Sequence, residues 1–223
     1  MGSVNVLIQF FALAFSALLP VINPLGSALV FLGLVGDAPA SVIRTLARKI
    51  AISTLLFLFV VELVGAGLLG FFGISLPVVQ VAGGLVLAAM GWSLLNQQDP
   101  EVLHDQSEIA AAKLGPLEEK IFYPFTFPVT AGPGTVVVLL TLSAHASVKR
   151  GLPYVIAHLG ILLAVITLSV LVFLAYAYAP KITQYMSPQT THGILRVIAF
   201  VLLCIGVQIT WNGVEAMLKT VLK

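Results

Sequence analysis

Charge is what this chain has least of. Only 9% of its 223 residues are Asp, Glu, Lys or Arg, whereas soluble domains carry about 25%. Hydrophobic residues make up 59%, and the mean hydropathy is +1.08. There is too little polar surface to clothe a water-soluble globule, so lipid is the solvent of most of the molecule and the chain is a polytopic membrane protein. Cysteine is nearly absent as well. The lone Cys204 lies in an apolar run, which excludes an intramolecular disulfide and any cysteine-rich metal site, and it reads as a small buried hydrophobe. The basic residues form no stripe interleaved with aromatics, so nucleic acid is not a partner. His-Glu-x-x-His, Gly-x-Ser-x-Gly and Gly-x-x-x-x-Gly-Lys are all missing, which leaves intramembrane proteolysis and ATP-driven pumping without support. No catalytic residue, cofactor or metal site is expected.

What the chain does have is apolar length. A bilayer core about 30 Å thick needs about 20 helical residues, and six segments qualify: 4–35, 50–72, 76–95, 121–143, 152–179 and 194–218. Residues 1–22 lack a basic leader region and read as part of the first span. That first segment is too long for a straight crossing and is expected to break near Pro20 to Gly26, with a tilt or a re-entrant turn. The stretch from Leu19 to Ser27, Leu-Pro-Val-Ile-Asn-Pro-Leu-Gly-Ser, is echoed by Phe127 to Thr135, Phe-Pro-Val-Thr-Ala-Gly-Pro-Gly-Thr. Pro20, Val21 and Gly26 match Pro128, Val129 and Gly134, with Ser27 opposite Thr135. The fold expected is therefore all-α, with six transmembrane helices as two three-helix repeats and broken helices in spans one and four. Three is an odd number, so the second repeat enters from the opposite side and the repeat is inverted. Residues 1–95 form the first repeat, 96–120 a polar acidic connecting loop and 121–223 the second repeat. Lysine and arginine are in excess in the loops after spans one, three and five, above all at Arg44, Arg48 and Lys49, which places both termini outside the cytoplasm.

Non-helical backbone at membrane depth survives only where protein buries it or a cavity reaches it, and paired interruptions in two halves point to a transport site. A helix that restarts inside the membrane presents free N–H groups and a positive dipole end to an anion such as a carboxylate. Ser27 and Thr135 can cap those restarts or turn to a substrate, while carbonyls released before each break suit an ammonium group. A zwitterion satisfies both. Close helix crossing at a kink is the rival account of each break. Glu62 sits in mid-span two, as a proton carrier, an ammonium partner or a neutral interhelical acid. Arg196 can reach Glu62, a substrate carboxylate or the interface, and snorkelling to the interface is the plainest of these. Gln80, His158, His192, Gln208 and Asn212 read as interhelical glue, and Trp92 and Trp211 as interface anchors.

Asn23-Pro24-x-Gly26 in span one, Thr130-Ala131-Gly132-Pro133-Gly134 in span four, and Arg196 leading to Gly206-Val207-Gln208-Ile209 and Asn212-Gly213 in span six together make the chain resemble the MarC family over its whole length. The resemblance implies a six-span inner-membrane protein of bacteria or archaea, in a group classified with neutral amino acid transporters. It places the substrate region on Asn23, Pro24, Gly26, Thr130, Gly132, Pro133 and Gly134, with Arg196 in a second tier. An Asp-Pro-x-Gly form also occurs in the family, so the carboxylate that form would supply is missing here.

The function expected is a secondary transporter of small neutral amino acids, glycine or alanine first, with a small zwitterionic substrate and proton or sodium coupling, the proton route running through Glu62. The alternatives are a non-transporting membrane module that binds a ligand or partner and reports through the acidic loop, and an exporter of another small molecule. Assembly into a homo-oligomer is left open.

Overall fold

The computed structural model describes residues 2–36, 38–96, 119–147, 151–185 and 188–221. The expected acidic connection lies almost wholly outside the described residues. Every regular element among them is helical: α1 (Ser3–Ile22), α2 (Pro24–Val35), α3 (Ala40–Phe71), α4 (Leu76–Asn96), an irregular wide-turn segment (Ile121–Thr130), α5 (Pro133–Ser147), α6 (Leu152–Tyr185) and α7 (Pro188–Val221).

The chain's punctuation explains these bounds. Gly73, at φ +66°, turns the chain after α3 while the Ile74 N–H reaches back to the Leu69 carbonyl. Pro77, Pro133 and Pro153 stand in the first turns of α4, α5 and α6, where a missing N–H costs nothing. Pro20, by contrast, lies inside α1, and Pro180 inside α6.

Helix α6 is the axis of the molecule. Ala157, Ile161, Ala164, Leu168, Val172 and Tyr176 recur at helical spacing and are all buried, and α1, α2, α3 and α5 pack around this helix. It runs antiparallel to α3: Glu62 meets His158, whereas the Arg44 guanidinium lies 5.8 Å above the Tyr178 ring, so residue numbers fall along α6 as they rise along α3. Helices α4 and α7 form a second, tightly closed pair. A Cβ on Gly91 would stand 2.6 Å from the Leu203 amide nitrogen, and one on Gly206 would stand 2.7 Å from the Gly84 carbonyl oxygen, so backbone touches backbone. Gly213 makes the same approach to the Pro77 carbonyl.

Four spans long and apolar enough to cross a membrane are present among the described residues, Ser3–Val35, Leu76–Asn96, Leu152–Thr183 and Gly193–Thr220. The bent pair Ile121–Thr130 and Pro133–Ser147 adds a fifth if the two helices form one broken span. The first span breaks at Asn23, inside the stretch Pro20 to Gly26 where a break was expected, but without the re-entrant turn that was one form considered for it. Because α2 restarts only one residue after α1 ends, the two helices continue as one span, while the second interruption bends the chain by 67°. Cys204 is exposed on α7 rather than buried, because it lies on the side of that helix turned away from Gly206 and Gly213, which meet α4.

Candidate functional site

The first break is one residue wide. Asn23 adopts φ 44° and ψ 68°, the left-handed conformation that asparagine tolerates better than most side chains. Its N–H still bonds the Leu19 carbonyl and ends α1, while its Oδ1 accepts the Gly26 N–H at 3.0 Å and opens α2. The Asn23 carbonyl takes both the N–H and the hydroxyl of Ser27, each at 2.9 Å. Pro24 carries no N–H and so deprives the Pro20 carbonyl of its helical donor. Gly26 is required for close approach, since an added Cβ would collide with the Asn23 amide. The restart of α2 is thus a closed cap.

The second break is wider and differently built. Pro124 and Pro128 both follow cis peptide bonds, and Tyr123 and Phe127 take extended backbone angles. Five-residue bonds replace four-residue ones: Thr126 Oγ1 donates to the Ile121 carbonyl at 2.8 Å, Thr130 Oγ1 to the Phe125 carbonyl at 2.6 Å, and the Ala131 N–H to the Thr126 carbonyl at 2.8 Å. Then α5 starts with no side-chain cap available, because the residue before Pro133 is Gly132. Its first bonded N–H is that of Thr135, 3.0 Å from the Gly132 carbonyl. The Thr135 hydroxyl is fully buried and has no partner. Gly134 packs against the Leu87 side chain, with no room for a Cβ.

The two breaks meet at Tyr176. Its hydroxyl lies 2.7 Å from Thr130 Oγ1 of the second break, and Ser27 of the first stands beside it. Phe31 stacks on the Tyr176 ring at 4.6 Å between centroids, and Phe125 meets Phe31 edge-on at 5.5 Å. Tyr176, Phe31 and Phe125 are all fully buried, so this node is packed shut. Sequence reading passed over Tyr176. The signal available was its setting among Ala175, Ala177 and Ala179, small residues that let other helices close on a large one.

Glu62 does not join that node. Its Oε1 lies 2.6 Å from His158 Nδ1, with the carboxylate wholly buried and the imidazole partly exposed. Ser143 stands alongside, and Tyr154 lies over the imidazole at 4.4 Å. Glu62 Oε2 and His158 Nε2 are buried with no hydrogen bond. Tyr176 is eighteen residues beyond His158 on α6, about 27 Å of helix, so the acid–imidazole pair and the breaks occupy different levels. Arg196 is not brought to either. It is exposed on α7, whose neighbour is α4, and the partner of Glu62 is His158.

Among the remaining polar residues, Gln80 is buried and reaches Thr141 across α4 and α5 at 3.5 Å, a loose bond in the glue role expected of it. Gln208 and Asn212 instead bond to each other along the exposed side of α7, so they join no two helices of this chain. The side chain of His192 lies outside the described residues. Trp92 and Trp211 are exposed. Among the described residues no cluster of His, Cys, Asp or Glu could hold a metal ion.

Comparison with known proteins places the sequence in a lineage. The model of the MarC family integral membrane proteins matches residues 8–218. A UPF0056 inner membrane protein MarC of Citrobacter koseri is 30% identical, with 96% of this chain and 98% of that protein covered. Its counterpart in Salmonella typhimurium is 29% identical over the same shares. A UPF0056 membrane protein of the archaeon Methanocaldococcus jannaschii is 28% identical, covering 95% of this chain and 98% of its own length. No solved structure matches the chain significantly. Several apolar spans and relatives named for the inner membrane make this a multi-pass plasma-membrane protein, and the chain belongs to the MarC family of integral membrane proteins.

Proposed function

We propose that this protein is a secondary transporter of small neutral amino acids, with its substrate site at the start of α5. The observation that carries the reading is the Thr135 hydroxyl, buried without a partner at a helix start that has no side-chain cap. A buried orphan hydroxyl costs about 1–3 kcal/mol, and a substrate carboxylate placed against Thr135 and the Gly134 N–H would remove that cost. The first break differs in kind, because Asn23 already occupies the equivalent donors of α2. The Pro20 carbonyl, deprived of its donor by Pro24, suits the ammonium end. Tyr176 ties the two breaks together, so opening the node would expose both ends of the site at once.

In this reading α3 is the sixth span, since Glu62 is its single charge from Ile50 to Phe71. Part of the contact pattern supports two inverted repeats, although the packing of α5 on α4 has no comparable counterpart between α2 and α7 among the described residues. Exchanging α1, α2, α3 and α4 for the irregular segment, α5, α6 and α7 turns the packing of α1 and α2 on α6 into that of the irregular segment and α5 on α3, and it maps the pairs α3–α6 and α4–α7 onto themselves. The Glu62–His158 pair, off the substrate level and with two unpartnered polar atoms, suits a proton carrier.

The test is flux of labelled glycine and alanine in proteoliposomes, with and without imposed proton and sodium gradients. Saturable flux is expected, lowered by roughly tenfold or more in Thr135→Val, a change that removes a hydroxyl and keeps the volume. Glu62→Gln is expected to stay active but lose its response to a proton gradient. Absence of flux for any small neutral amino acid under every gradient would sink the reading.

A further inference from the structure

The far side of α7 carries a polar group where lipid can offer it nothing. Counting round the helix from Gly206, which faces α4, Gln208 lies about 200° away, on the side directed from the rest of the protein. Gln208 Nε2 donates to Asn212 Oδ1 at 2.8 Å, and both side chains are exposed. That bond uses one of the four N–H groups of the two amides. The Gln208 carbonyl oxygen, its second N–H and both N–H groups of Asn212 have no partner among the described residues. Gln208 stands near the middle of the apolar span Gly193–Thr220, where hydrocarbon neither donates nor accepts.

The same face has a pattern. Val197, Val201, Cys204, Gln208 and Trp211 are exposed and follow one another at alternating steps of four and three residues. That is the 3.5-residue spacing of a helix seam. The opposite, glycine-lined face of α7 is already filled by α4, so the seam is the side left open.

We infer that this seam is the interface of a homodimer, in which α7 of one copy packs along α7 of a second and the Gln208–Asn212 amides hydrogen-bond across it. A second copy is the occupant the chemistry selects. An amide is both donor and acceptor and so complements itself, and two copies inserted with the same orientation bring their Gln208 side chains to the same depth about a two-fold axis along the membrane normal. The inference does not depend on what the protein transports.

The chain supplies its own probe, because Cys204 is its only cysteine and lies on the seam. Membranes holding the full chain are oxidised with copper phenanthroline and resolved without reductant. The wild type is expected to give a disulfide-linked band at twice 23.6 kDa, and Cys204→Ser none. In the Cys204→Ser background, Val201→Cys should restore the band, whereas Val207→Cys, exposed but off the seam, should not. Replacing Gln208 and Asn212 together by leucine should lower the Cys204 cross-linked fraction by roughly fivefold or more. If that double variant does not insert, the contrast between Val201→Cys and Val207→Cys decides alone. No band at Cys204 and Val201, equal bands at on-seam and off-seam positions, or an adduct of another mass would each overturn the inference. The first would leave the face to lipid, the second would mean random collision, and the third would give the face to a different protein. Flux in proteoliposomes is read separately, so failure here leaves the transport proposal standing.

Discussion

Tyr176 donates its hydroxyl proton to Thr130. The two oxygens lie 2.7 Å apart, and Thr130 has already spent its own proton on the Phe125 carbonyl at 2.6 Å, so Thr130 can only accept. A side chain of α6 is thereby tied to the irregular backbone of the second break. Replacing Tyr176 by phenylalanine should keep the stack on Phe31 and lower stability by about 1–2 kcal/mol. Thr130→Val should cost more, because it also removes the bond that the Thr130 hydroxyl donates to the Phe125 carbonyl. The double variant should cost less than the sum, a coupling of about 1 kcal/mol readable by thermal unfolding in detergent. Strict additivity would mean that the contact carries no energy.

Thr135→Val should do two things that seldom go together. Removing an unpartnered buried hydroxyl should raise unfolding stability by about 1 kcal/mol, while flux falls. A stabilised variant with undiminished flux would take the substrate away from α5.

The Glu62–His158 pair is expected to behave as a unit. Replacing either residue alone by leucine leaves the other polar group buried and unpaired, at a cost of about 3–5 kcal/mol. The double leucine variant should recover a good part of that loss in the same melting assay. Equal damage from the double and the single changes would count against the pairing.

Glycine substitutions should sort by what stands opposite them. A methyl at Gly206 meets the backbone of α4, which cannot yield, so Gly206→Ala should destabilise by about 1–3 kcal/mol. Gly67 and Gly70 on α3 have nothing within 4 Å, and alanine at either should stabilise by about 0.5–1 kcal/mol through helix propensity alone. Expression and melting temperature of the three variants, compared side by side, check the order.

The two breaks were legible because proline and glycine act locally, and the residues that punctuate the chain are the ones the structure uses. Their shapes were not. Pro24 and Gly26 announce a discontinuity, but that it shrinks to Asn23 alone follows from the asparagine serving at once as the left-handed residue and the cap of α2. The second break begins well before Pro128, because Pro124 one turn earlier already disturbs the ladder. Partners far apart in sequence were harder still. Glu62 and His158 are 96 residues apart, and in spans this uniformly apolar no pattern says which face meets which. The exposure of Cys204 was hidden for the same reason, since the glycines that define the inward face of α7 reveal themselves only once α4 lies against them.

Asn23 is the one non-glycine residue with positive φ among those described, and it precedes a proline, whose ring favours extended backbone in its predecessor. Its conformation is therefore held by what it binds, the Gly26 N–H through Oδ1 and both Ser27 donors through its carbonyl. Rotation about that single residue towards the extended region would undo all three bonds together and let α2 swing as a lever on a one-residue pivot. Aspartate keeps the same acceptor and the same tolerance of the left-handed region, so an Asp-Pro-x-Gly sequence would preserve the pivot and add to it a sensitivity to protonation that Asn23 does not have.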